Sequence, residues 1–113
     1  MVDNINENII PIIVSNSYER KYYLDKRLES LPKEVKDVLK ILFVTHTENV
    51  GGCVEVSFDN KVYDLIFRAY KNDDDFDYDE IKANYELNRI EKQNEDLFKK
   101  VAEFCKFKLN GLV

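Results

Sequence analysis

GGCVEVSFDNKVYDLIFRAY, residues 51–70, alternates apolar and polar side chains with a period of two, the mark of half-buried strands. Val54, Val56 and Phe58 fall on one side of the first half, with Cys53, Glu55, Ser57 and Asp59 on the other. Asp59 and Asn60 tolerate the left-handed conformations of a tight turn. In the second half Tyr63, Leu65, Phe67 and Ala69 oppose Val62, Asp64, Ile66, Arg68 and Tyr70. The stretch therefore predicts a β-hairpin with a core face and an outer face.

Upstream, Val35, Val38, Leu39, Leu42 and His46 recur at helical spacing, and Pro32 suits a first turn capped by Ser30 or Leu31. Ile41, Phe43 and Val44 widen the stripe, which predicts a helix buried nearly all round in its C-terminal half. Gly51 and Gly52 read as a helix exit and a tight entry into the hairpin. Earlier still, IIPIIV (residues 9–14) is β-branched and reads as a strand. Pro11 cannot donate to a ladder, which predicts an edge position. Residues 18–30 stay open between extended structure at Tyr22–Leu24 and a helix on Leu24, Leu28 and Leu31, and residues 1–8 read as a disordered, frayed end.

Downstream, KNDDDFDYDE (residues 71–80) is an acidic connection in which Asp77 or Asp79 suits a helix N-cap. A stripe of Leu87, Ile90, Leu97, Val101, Phe104, Cys105 and Lys108 then predicts a long helix to Leu109, closed by Gly111 and interrupted at Asn94. At 1.5 Å per residue it would span about 45 Å. A globule of this size has a radius of gyration of roughly 13 Å, so the helix must bend, break near Gln93 and Asn94, or reach a partner. The expected fold is α+β in one domain over 1–113: a small antiparallel sheet built on a central hairpin, with the middle and C-terminal helices packed on one face.

The 113 residues carry a net charge of −5, with 44% hydrophobic and 35% charged side chains. An acidic chain starts at a disadvantage on phosphates, so nucleic acid is not the expected partner. Residues 17–40 hold seven basic and five acidic side chains, mixed at nearly every turn as on a solvated helix face. No segment approaches the ~20 apolar residues that span a bilayer, and the acidic start lacks the basic flank of a signal peptide. Cys53 and Cys105 have neither metal nor redox spacing and are expected as reduced thiols in a cytoplasmic protein.

Two constellations carry candidate chemistry. HTENVGGC (residues 46–53) brings a lone His46 near Cys53, the parts of a thiol enzyme or redox sensor. A helix C-terminus, however, disfavours a nearby thiolate and favours a charged histidine. Asp75, Asp77, Asp79 and Glu86 match calcium-loop positions one, three, five and twelve, but Glu80 replaces the glycine that the turn requires. Asp73, Asp74, Asp75, Asp77, Asp79 and Glu80 otherwise favour the positive end of a helix. No phosphate-cradling or hydrolase motif is present, and no cofactor is expected.

The best-supported expectation is a non-catalytic interaction or adaptor protein. It would dock a basic protein, or a second copy of itself, through Val62, Ile66 and Tyr70 and the acidic guide Asp73, Asp74, Asp75 and Asp77. A thiol function at Cys53 and His46, and weak divalent-cation binding at Asp75, Asp77 and Asp79, are the alternatives.

NSYERKYY (residues 16–23), the Leu31-Pro32 helix start, TENVGG (47–52) and FDYDE (76–80) together resemble a family of small proteins from Gram-positive, clostridial-type anaerobes. That family is a domain of unknown function. The resemblance implies a single cytosolic bacterial domain and carries over no catalytic residues.

Overall fold

The computed structural model describes residues 8–109. Among these are four strands, β1 (Ile9–Asn16), β2 (Lys21–Leu24), β3 (Cys53–Asp59) and β4 (Asp64–Tyr70), and three α-helices, α1 (Lys33–Val50), α2 (Glu80–Gln93) and α3 (Glu95–Lys108). A 3₁₀ turn, Lys26–Leu28, follows β2. The strands form one antiparallel sheet in the order β2-β1-β3-β4, so the chain is α+β as expected. The expected disorder of residues 1–8 lies outside the described residues except at Asn8, whose carbonyl accepts from the Asn60 amide at 2.7 Å. Gly111 also lies outside them.

The hairpin keeps its expected alternating faces, with Val54, Val56 and Phe58 opposite Ala69, Phe67 and Leu65, but its connection runs over residues 60–63 instead of a tight turn at Asp59 and Asn60. It is not central. β1 stands between β2 and β3, so IIPIIV is an interior strand rather than an edge. Proline is tolerated there because β2 reaches only to Ile13, and the ladder to β3 slips between Pro11 and Ile13. The extra residue lets Ile12 and Ile13 both bury completely. The open segment 18–30 resolves into a turn, β2 and the 3₁₀ turn. The Asp25 carboxylate caps that turn by accepting from the Arg27 amide and guanidinium.

One apolar cluster joins Ile13, Val54, Val56 and Phe58 of the sheet to Leu39 and Phe43 of α1, Leu87 of α2, and Phe98, Val101 and Cys105 of α3. Phe43, Phe67 and Phe98 tie α1, β4 and α3 together with ring centroids 4.9–6.3 Å apart. Such pairs add about 0.5–1.5 kcal/mol each beyond burial. α1 starts after Pro32, one residue later than a Leu31 cap would give, and its C-terminal half is not buried all round, since Thr45, Glu48 and Asn49 are exposed. The expected long C-terminal helix is two helices. At Asn94 the backbone leaves helical geometry (φ −128, ψ 34), and the Asn94 side-chain amide donates to the Ile90 carbonyl.

Candidate functional site

The acidic segment 71–79 is held against the molecule. The Tyr18 hydroxyl, in the turn between β1 and β2, donates to the Asp75 carboxylate at 2.6 Å and accepts from the Asn72 amide at 3.2 Å. Burial, then the Asp75 carboxylate, push that phenol up to about 12, so it stays a donor at neutral pH. The turn is in turn fixed to the start of β3, where the Ser17 amide and hydroxyl both donate to the Gly52 carbonyl. Tyr78 packs on Gly52 itself: a Cβ there would stand 2.5 Å from the Tyr78 ring and 2.6 Å from the Tyr70 carbonyl. Asp79 then caps α2 by accepting from the Lys82 amide.

Pinned at these points, the segment leaves Asp73, Asp74 and Asp77 exposed. It also leaves Phe76 88% exposed, and α2 begins with Ile81 83% and Tyr85 62% exposed, one turn apart. An aromatic ring held so far into water by a tethered loop is unusual, because apolar burial is the main gain of folding. The apolar members expected at this surface are spread along β4 and its turn. Val62 sits in the hairpin turn, beyond the opposite end of β4 from Tyr70, a strand about 20 Å long. Ile66 stands exposed opposite Ser57. Tyr70 is half-buried, stacked on the Arg68 guanidinium at 4.3 Å and paired across the ladder with Cys53.

Cys53 and His46 are not brought together. Cys53 lies buried between Asn16 and Tyr70 on the neighbouring strands. Burial is the main cause that raises its thiol, with Tyr70 and Arg68 opposing; His46 does not act on it. His46 is buried in α1 facing α2, only 4% exposed, with Nε2 closed off and unpartnered. Burial lowers its imidazole against the pull of the Glu86 carboxylate. The helix-end effect that favours a charged histidine is therefore outweighed by desolvation. Cys105 is also a free, buried thiol.

Among the described residues no group of three or more acidic, His or Cys side chains is gathered to hold a metal ion. Asp75 bonds Tyr18 and the Asp77 amide, and Asp79 caps its helix, so two of the three candidate carboxylates already have partners within the chain.

Sequence reasoning passed over Tyr18, Phe76, Ile81 and Tyr85. Phe76 had a signal, since DDDFDYDE sets two aromatics at alternating positions among carboxylates where a plain solvated loop needs none. Tyr18 had none, because its partner lies 57 residues away.

No helix of the described residues is long and apolar enough to cross a membrane. No curated protein and no solved structure matches the chain. One family model does, over residues 9–111, and the chain belongs to that family, the family of unknown function DUF6145.

Proposed function

We propose that this chain is a non-catalytic docking module of the bacterial cytoplasm, in the Gram-positive, clostridial-type setting that its motifs resemble. It binds a basic protein partner through the acidic segment 71–79 and the start of α2. The observation that carries this reading is the tethered loop that holds Phe76 in solvent among Asp73, Asp74 and Asp77. A partner of matching chemistry presents lysines or arginines around an apolar socket. Long-range attraction speeds encounter, and the ring, with Ile81 and Tyr85, supplies the buried contact. In this reading the helices cover the Val54, Val56 and Phe58 face of the sheet, and Ile66 and Tyr70 on the opposite face extend the surface along β4. Val62 falls outside it.

The test is capture from the native cell at low and moderate salt, repeated with Phe76→Ala and with Asp73, Asp74 and Asp77 changed together to Asn. A stoichiometric basic partner, lost with Phe76→Ala and weakened by salt and by the triple change, supports the reading. Capture of the chain's own second copy would assign the surface to a homodimer instead. Binding indifferent to all four positions would refute it.

A further inference from the structure

The other side of the β1–β2 turn carries opposite chemistry. A cleft of about 630 Å³ opens between that turn, β2 and α1, lined by Arg20, Lys21 and Lys40 with Glu48 as the one carboxylate. It is net positive in a chain of net charge −5. The ion pairs among the described residues use Arg27, Lys33, Lys36, Arg68 and Arg89, so none of the three cleft cations has a carboxylate partner there. The Tyr22 ring forms a wall beneath the Lys40 ammonium, 5.9 Å from its centroid, and the Tyr22 hydroxyl is closed off from solvent without a partner. Burial pushes that phenol up to about 12, so it remains a donor across the physiological range. The neighbouring hydroxyls are already committed: Ser15 to Thr47 at 2.9 Å, and Ser17 to the Gly52 carbonyl at 2.7 Å.

Unpaired cations, a buried donor lacking an acceptor and an aromatic wall share one deficit, which is negative charge with acceptor oxygens. The volume lies in the range of small-molecule sites. Thr47, Glu48 and Gly51 bring the C-terminal end of α1 to one part of the cleft, and Lys40 stands ten residues before the end of that helix, about 15 Å from its electronegative last carbonyls. We propose that this cleft binds a small phosphate-bearing polyanion, with Lys40, Lys21 and Arg20 neutralising its charge and the Tyr22 ring turning on binding so that its closed-off hydroxyl donates to one of the polyanion's oxygens. The site is separate from the acidic loop and does not depend on the docking reading.

Inorganic pyrophosphate is the probe, titrated into the whole chain by calorimetry and by amide chemical shifts at constant ionic strength. The expected result is one saturable site, with shifts concentrated at residues 15–22 and 40–51. Lys40→Ala and Arg20→Ala, both at exposed positions, should each weaken binding about tenfold or more. Tyr22→Phe should weaken it roughly fivefold. Lys61→Ala, in the far hairpin turn, should leave it unchanged. Absence of saturation at millimolar pyrophosphate overturns the proposal. So does an equal effect of Lys61→Ala and Lys40→Ala, which would show only general attraction to lysines.

Discussion

Gly51 and Gly52 both have positive φ, at +78° and +71°, but only one of them is crowded. Replacing either with alanine places a Cβ on positive-φ backbone, at about 1–3 kcal/mol, and Gly51, at ψ −173, stands in the region that glycine almost alone occupies. Each also gains about 0.4–1 kcal/mol from the less flexible unfolded chain, and this cancels between the two variants. At Gly51 nothing lies within 4 Å of the new carbon. At Gly52 it meets the Tyr78 ring at 2.5 Å and the Tyr70 carbonyl at 2.6 Å. The ring can swing away, but the carbonyl belongs to the β3–β4 ladder and cannot shift without parting the strands. Overpacking of this kind costs about 1–3 kcal/mol. Gly52→Ala is therefore expected to be less stable than Gly51→Ala by up to about that amount, and each kcal/mol lowers Tm by about 4–8 °C in a domain near this size. Urea and thermal unfolding of the two variants give the difference directly. Displacement of Tyr78 should also expose Cys53 to a thiol reagent in the Gly52 variant alone. Equal stabilities within about 0.5 kcal/mol would refute the reasoning, because backbone conformation would then account for both changes.

Tyr18→Phe removes both hydrogen bonds that tether the acidic segment. We expect faster amide exchange at residues 72–77 with a global loss of only about 1 kcal/mol; unchanged exchange would show that Tyr78 alone holds the loop. Burial lowers the His46 imidazole, so the unfolded chain takes up that proton first as pH falls. This contribution to stability is complete above about pH 6.5 and is lost as pH falls toward the folded value. Urea midpoints across that range should vary less in His46→Gln than in the natural chain, and identical slopes would exclude the histidine. Burial raises both thiols, that of Cys105 to about 12, so a disulfide reagent at mildly alkaline pH should find no reactive cysteine until urea is added. Rapid native labelling of Cys53 would revive the thiol reading.

Local pattern made the hairpin and the middle helix legible, because Val54 to Ala69 repeats at period two and Leu39 to His46 at helical spacing. Asn94 was legible as an interruption for the same reason. Pro11 misled because a proline forbids one ladder bond, whereas strand position depends on how far the neighbour extends. Here β2 stops short. A two-residue turn at Asp59 and Asn60 puts Val62 on a strand face. The actual connection runs over residues 60–63, with Tyr63 at φ +61 absorbing the bend. The tether of the acidic loop and the gathering of Arg20 and Lys40 at one cleft arise from contacts between distant segments. No period or spacing encodes these.

The sheet order also bears on how the chain reaches its structure. β1–β2 and β3–β4 are each joined by a four-residue turn, so each hairpin closes locally and quickly. The β1–β3 ladder is the seam between them, and it pairs Ile13 with Val56 across the whole of α1. Closing that loop costs entropy before any contact repays it, which makes seam formation the rate-limiting event expected of this topology. Conservative truncation at Leu65, in a hairpin closed before the barrier, should then slow folding in full proportion to the stability lost, while truncations at the seam, Ile13 and Val56, should divide between slower folding and faster unfolding. A chevron series on these three positions measures the partition. Equal φ-values at seam and hairpin end would place the two hairpins and their junction in a single step.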